Sequence, residues 1–240
     1  MKRPFWIRLL LILVVLIVSQ GGTYLLLSWL NLAEQDYSNV LINVVFLLAC
    51  VGLIRVLSLS AEDTGLKIAK DRLAWHVAIC LSIFFCYMLF YIFAIHISSL
   101  RPILSKTTWG ILNYLVVAFA EEIYFRGILY GVVQKRFSGR VALVASTLLF
   151  GLVHFRQGLG MLPKFFTGWL WGSVRYSTSM IFLLIIPVHF AYNVVWLLFE
   201  GNWENPPLWA LFFPLFELLL GLVIVNARAL IVRGKQVALQ

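Results

Sequence analysis

The chain has 240 residues, of which 62% are hydrophobic and 12% are charged, and its formal net charge is +9. Since a typical soluble domain is about a quarter charged, this composition excludes an ordinary soluble protein and indicates a polytopic membrane protein. The basic residues lie at the ends of apolar runs, which is typical of topology-setting loops, so the positive charge does not indicate nucleic-acid binding. A spanning β-barrel is also excluded, because runs such as 9–18 do not alternate polar and apolar residues.

The apolar runs predict the helices in chain order. They cover residues 9–30, 38–57, 75–97, 109–133, 141–155, 165–174, 180–199 and 208–227. A helix needs roughly 20 apolar residues to cross a bilayer, and the sixth segment is too short to do so upright. The expected fold is therefore all-α, a membrane helical bundle with seven or eight transmembrane helices that forms a single domain over residues 1–240.

The distribution of basic residues predicts the orientation of this bundle. With a cytoplasmic N-terminus, fourteen of the 19 Lys and Arg residues fall in inner loops or tails and four in outer loops. This asymmetry follows the positive-inside rule, so we expect the N-terminus on the cytoplasmic side. The first apolar run has no signal-peptide cleavage site, so we predict an uncleaved helix. A multi-pass protein of the cell membrane is expected, and a bacterial cytoplasmic membrane fits the absence of targeting segments.

Several polar side chains lie inside predicted membrane helices. They are Glu121, Glu122, Arg126, His154, His189, Asn193 and Glu217. An ionisable residue at bilayer depth is costly and is therefore a functional-site hypothesis by default. Glu217 lies in the last predicted helix, and we expect it to be a protonated or hydrogen-bonded packing residue, the alternative being a contact to substrate or lipid.

Basic residues at helix ends provide an estimate of depth for three of these side chains. The spacing is 14 residues from Glu121 to Lys135, from Arg140 to His154 and from Arg175 to His189. If each basic residue marks the inner end of its helix, all three side chains lie about 21 Å from the inner face at about 1.5 Å per residue. Three separate helices would then present titratable groups at one level.

Helical geometry assigns directions to these residues. Glu122 and Arg126 are four apart and can form an ion pair, whereas Glu121 is turned by about 100° and can face another helix. His189 and Asn193 are also four apart and share a face. Structural roles remain open for all of them: an ion pair that locks the fourth helix to its neighbours, a protonated core glutamate, and histidines that serve only as hydrogen-bonded packing residues.

Three ordered motifs carry a resemblance to a known family. The segments EEIYFR at 121–126, FGLVH at 150–154 and HFAYN at 189–193 contain the patterns EExxxR, FxxxH and HxxxN. This set resembles the CPBP intramembrane proteases, which include the type II CAAX prenyl endopeptidases and bacterial bacteriocin-processing or Abi proteins. The resemblance covers residues 109–199, which we predict to be the catalytic core.

The resemblance implies hydrolysis of a peptide bond inside the membrane. Glu121 would be the general base that activates a water, and His154 would hold that water or share its proton. His189 and Asn193 would donate hydrogen bonds to the tetrahedral oxyanion, while Glu122 and Arg126 would fix the rotation of their helix. The implied substrate is a membrane-embedded or membrane-associated peptide or protein, such as a prenylated CAAX protein or a bacterial leader peptide.

The participation of a metal is a separate question. Glu121, His154 and His189 are the ligands that a zinc ion would use, and the family was long described as metal-dependent. The chain has no HExxH motif, however, and Arg126 would compete with a cation for the carboxylates. We therefore expect no catalytic metal and no other cofactor.

Two rival functions fit the same polar residues. The protein could be a proton- or ion-coupled transporter, in which midplane carboxylates and histidines relay protons. It could also be a non-catalytic immunity or scaffold protein that has kept the fold. The polar residues cluster in the fourth, fifth and seventh predicted helices rather than in two related halves, which favours the protease over the first rival. The intact motifs favour it over the second.

Overall fold

Eight helices make up most of the computed structural model, which describes residues 4–97, 99–100, 105–199 and 212–237. They are α1 (Phe5–Trp29), α2 (Ser38–Val56), α3 (Leu73–Ala94), α4 (105–136), α5 (Gly139–Val153), α6 (Met161–Thr178), α7 (184–198) and α8 (Phe213–Val237). Short 3₁₀ turns lie at Lys70–Arg72 and Phe155–Gly160. Within the described ranges there is no β-strand, apart from an isolated bridge between Leu100 and Phe199.

The all-α fold predicted from the sequence is thus confirmed. Among the described residues, three helical stretches can cross a membrane by length and composition: Phe5–Trp29, Ser38–Val56 and Lys70–Ala94. Gly139–Val153 and Phe213–Ala227 are apolar but shorter. The chain is therefore a multi-pass membrane protein, while the count of seven or eight spans and the cytoplasmic N-terminus stay predictions.

The sixth helix is longer than the sequence indicated. We predicted 165–174, but α6 has 18 residues and runs from Met161 to Thr178. The prediction was wrong because it followed the apolar run alone. Pro163 is tolerated in the first turn of a helix, and the polar side chains of the last turn are buried rather than solvated. In the last helix, the predicted residues 208–211 lie outside the described residues, and α8 continues well beyond the predicted end.

Arg175 does not mark the inner end of the seventh helix, so the depth estimate for His189 was based on a wrong marker. The residue lies within α6 and is only 3% exposed. Its Nε donates to the carbonyl of Arg126 at 3.1 Å, and its Nη2 donates to the carbonyls of Glu62 and Asp63 at 3.2 and 2.8 Å. A guanidinium can enter the interior because backbone oxygens satisfy its donors.

These contacts hold the loop between α2 and α3 against the bundle. The amide of Ile181 donates to the carbonyl of Gly65, and Lys135 at the end of α4 pairs with Asp63. Burial raises the pKa of the Asp63 carboxyl, but hydrogen bonds from Lys135 and from Ser60 lower it more, so this pKa lies below its ordinary value. The loop is therefore part of the folded structure.

Two wide helical turns lie where the motifs are. Residues Glu122–Leu129 of α4 and Leu184–Phe190 of α7 are π-helical, and the second turn contains Pro187. π-Turns are rare and frequently occur at functional sites, because the extra residue per turn re-aims neighbouring side chains. The first of these turns contains Glu122 and Arg126, and the second contains His189.

The helix α6 lies between α5 and α8, and glycines allow its close approach to α5. A Cβ atom on Gly151 would lie 2.3 Å from the Phe165 ring, and one on Gly172 would lie 2.6 Å from the Leu143 side chain. These contacts bring the side chains of α6 against the ends of the motif-bearing helices.

Candidate active site

The first motif contains the predicted ion pair. Arg126 Nη1 lies 3.1 Å from Glu122 Oε1, and both side chains are completely buried. Arg126 Nη2 also donates to the carbonyl of Gly168 at 3.3 Å, and its guanidinium carbon lies 4.1 Å from the centroid of the Phe150 ring. The pairing predicted from the four-residue spacing is confirmed, and it ties α4 to α5 and α6.

His189 lies between the two adjacent glutamates. Its Nδ1 is 2.9 Å from Glu122 Oε1, and its Nε2 is 3.7 Å from Glu121 Oε2. The first contact is a hydrogen bond, whereas the second is too long for one and leaves Nε2 available to another partner. From the sequence, Glu121 was expected to face away from the Glu122–Arg126 pair. In the structure, both carboxylates lie beside the imidazole of His189.

His154 is held by the backbone of its own helix. It lies at the C-terminal end of α5, and its Nδ1 is 2.7 Å from the carbonyl oxygen of Phe150. A carbonyl can only accept a hydrogen bond, so Nδ1 carries the proton. In the neutral imidazole Nε2 is then an acceptor.

The four residues predicted to act on substrate line one cavity of about 240 Å³. These residues are Glu121 on α4, His154 on α5, and His189 and Asn193 on α7. Glu122 and Arg126 are not among the lining residues of this cavity. The structure therefore brings together the residues that the sequence placed on three separate helices.

The two adjacent glutamates have different access to this cavity. The Glu121 side chain is 20% exposed, whereas that of Glu122 is completely buried beneath Arg126 and His189. Only Glu121 can therefore exchange a proton with water in the cavity, and Glu122 can act only through its neighbours.

Seven further lining residues were not predicted. They are Tyr114, Val117, Phe150, Gln157, Lys164, Thr167 and Trp171. Lys164, Thr167 and Trp171 follow one another at three- and four-residue spacing and therefore lie on one face of α6. That spacing was visible in the sequence, but treating the sixth segment as a short apolar element hid it.

The fit of a metal ion can be tested on the donor set. Zinc would need Glu121, His154 and His189 as ligands, and only the Nε2 atom of each imidazole is available for it, because Nδ1 of His189 faces Glu122 and Nδ1 of His154 faces a carbonyl. Among the described residues, no group of three or more His, Cys, Asp or Glu side chains is placed to hold a metal ion. In this structure the three candidate ligands are therefore not gathered around one point.

Comparison with known proteins gives one family. Residues 102–195 match the family model described as type II CAAX prenyl endopeptidase Rce1-like. This segment is less than half of the chain, but it contains all seven residues that the three motifs specify and confirms the resemblance to the CPBP proteases. Among curated proteins, no significant match to the chain was found.

Proposed function

We propose that this membrane protein, with its Rce1-like segment, is an intramembrane endopeptidase that hydrolyses a peptide bond by glutamate-activated water. The observation that carries the proposal is the shared cavity, in which Glu121, His154, His189 and Asn193 line one space among apolar helices. A volume of about 240 Å³ holds several waters, since each takes about 30 Å³ in the liquid. A water at this position can be deprotonated and aimed at a carbonyl carbon.

In the first step, Glu121 removes a proton from the water while the water oxygen attacks the scissile carbonyl carbon. His154 supports this step because its Nε2 is the acceptor nitrogen and can take a hydrogen bond from the same water. The carbonyl oxygen becomes the oxyanion of a tetrahedral intermediate. Glu121 then returns the proton to the leaving amine as the carbon–nitrogen bond breaks.

The oxyanion is stabilised by donors on α7. Asn193 offers its amide, and His189 offers Nε2–H when both ring nitrogens carry protons. Donors aimed at developing charge often supply the largest share of catalysis.

The substrate is a membrane-associated peptide or protein. The site lies between α4, α5, α6 and α7, so a cleaved segment must enter between helices of a multi-pass bundle. A prenylated CAAX protein and a bacterial leader peptide both meet this requirement. The positive-inside pattern suits a bacterial cytoplasmic membrane, and we propose this location.

A comparison of Glu121→Gln with the wild type tests the proposal. Glutamine keeps the size of the side chain but cannot accept the proton, so we expect cleavage to fall by at least about 10²-fold with unchanged folding. The measurement compares membrane proteins left uncleaved in cells that carry the wild type, Glu121→Gln or the exposed control Glu34→Gln. Cleavage by Glu121→Gln at the wild-type rate would remove Glu121 from the role of base. Proton flux in liposomes without any peptidase activity would instead favour the transporter.

We also propose that no metal takes part in this reaction, because Arg126 pairs with Glu122 beside the site and would compete with a cation for the carboxylates. The metal-free protein, verified by elemental analysis, is expected to cleave its substrate as fast as untreated protein. Loss of activity that Zn²⁺ alone restores would contradict this proposal.

A further inference from the structure

Besides Glu122, a second carboxylate is buried close to the candidate active site, on a helix that carries no motif. Glu217 in α8 is only 2% exposed. Its Oε1 accepts a hydrogen bond from the Tyr87 hydroxyl at 2.7 Å, and the Thr167 hydroxyl lies 3.1 Å from both of its carboxyl oxygens. Burying this group costs free energy, and the three hydrogen-bond contacts offset that cost. The sequence prediction of a hydrogen-bonded residue is confirmed.

The hydrogen-bond partners of Glu217 connect it to the candidate active site. Tyr87 accepts a hydrogen bond from Trp171 Nε1 at 2.9 Å, and the centroid of the Trp171 ring lies 4.3 Å from that of the His189 ring. Thr167 and Trp171 are also lining residues of the cavity. A continuous series of contacts therefore runs from α8 through α3 and α6 to the imidazole on α7.

The directions of the hydrogen bonds from Trp171 to Tyr87 and from Tyr87 to Glu217 depend on the Glu217 carboxylate. The buried indole N–H of Trp171 needs an acceptor, and the Tyr87 oxygen serves as one while its own hydrogen points to Glu217. A hydroxyl hydrogen rotates to suit its partners, so loss of the carboxylate would free it to turn toward the indole. The acceptor at Glu217 thus keeps the Tyr87 oxygen directed at Trp171.

We propose that Glu217 is a positioning residue for the peptidase site, which through Tyr87 and Trp171 holds the imidazole of His189 between Glu121 and Glu122. This inference rests on the function proposed above. Glu217 itself does not touch the reacting atoms. Its effect is on turnover, because the imidazole must lie within about 1 Å of its productive position to stabilise the oxyanion, while contacts that bind the substrate elsewhere are unaffected.

The kinetic test uses variants that remove the hydrogen bonds of Tyr87 or those of Glu217. Tyr87→Phe and Glu217→Leu are expected to lower kcat about ten-fold with KM unchanged, on a membrane peptide that the wild type cleaves. Glu217→Gln keeps an acceptor oxygen and should restore kcat to within about three-fold of the wild type. Tyr24→Phe, at an exposed tyrosine of α1, is the matched control and should change nothing.

A second measurement does not depend on catalysis. The chain has four histidines, so the ring signals of isotopically labelled His189 can be assigned by NMR with a His189→Gln sample. The indole of Trp171 shifts those signals through its ring current, and Tyr87→Phe is expected to move them while Tyr24→Phe leaves them in place. This shift separates a failure of the positioning role from a failure of the proposed peptidase.

A double variant tests whether Tyr87 acts on His189 through Trp171. In a Trp171→Phe background the indole donor is already lost, so adding Tyr87→Phe should lower kcat no further. Three results would overturn the inference: an unchanged kcat in Tyr87→Phe, independent losses that multiply in the double variant, or a fall in melting temperature without any shift of the His189 signals.

Discussion

The residues Glu121 and Glu122 are neighbours in the chain but have different surroundings. Glu122 is completely buried and contacts both Arg126 and His189, whereas Glu121 is partly exposed and faces the cavity. Both carboxylates reach the same imidazole, one at each ring nitrogen. Because Glu121 has access to water, it can act as the base. Glu122 has no such access and can only hold its neighbours in place.

Removal of either member of the buried pair should destabilise the protein. Glu122→Gln and Arg126→Ala each leave a charge without its partner in the interior, at a cost of about 3–5 kcal/mol. We expect lower protein levels and a lower melting temperature together with reduced cleavage. Arg136→Ala at the exposed end of α4 is the control and should leave all three quantities unchanged. Normal abundance with complete inactivity would mean that the pair acts in the chemistry itself.

The helices of the bundle were largely predictable, and their departures from prediction have physical causes. Apolar runs identified all eight, because hydrocarbon admits only backbone that is satisfied within the segment. The π-turns of α4 and α7 were not predictable, since they depend on how neighbouring helices and Pro187 meet. The length of α6 was missed because its polar end is buried by the loop from α2 to α3.

Close approach of this loop to α4 requires a glycine. A Cβ atom on Gly131 would lie 2.5 Å from the backbone oxygen of Asp63, whereas one on Gly52 in α2 would have no atom within 4 Å. We expect Gly131→Ala to destabilise the protein by about 1–3 kcal/mol, since the backbone must move. Gly52→Ala should be neutral or stabilising by up to about 1 kcal/mol through helix propensity. Thermal unfolding in detergent measures both, and equal melting temperatures for the two variants would contradict the contact.

At the scale of the whole molecule, the bundle lines one cavity with polar side chains and exposes large apolar side chains on its surface. Large residues such as Trp6, Leu25, Leu48 and Phe93 lie on its surface, as expected for helices that face lipid. The polar groups of α4, α5, α6 and α7 face one another instead. This arrangement allows water into a protein that is otherwise suited to hydrocarbon.

The orientation of the bundle can be measured by labelling. With a cytoplasmic N-terminus, the loop after α1 is outside and the loop after α2 is inside. In a chain whose three cysteines are replaced, we expect a membrane-impermeant maleimide to label Glu34→Cys in intact cells and Lys67→Cys only after lysis. Labelling of Lys67→Cys alone in intact cells would show the opposite orientation.

The amino-acid sequence by itself determined the class of the protein, the motif residues and the Glu122–Arg126 pair. These features are local: a composition that suits hydrocarbon and a four-residue spacing that any helix converts into a contact. Only the tertiary structure placed His189 between two carboxylates. It also placed Arg175 under the loop from α2 to α3. Finally, it placed Thr167 and Trp171 between Glu217 and the cavity. These contacts depend on the rotation and relative depth of separate helices, which follow from side-chain fit between helices rather than from periodicity along one of them.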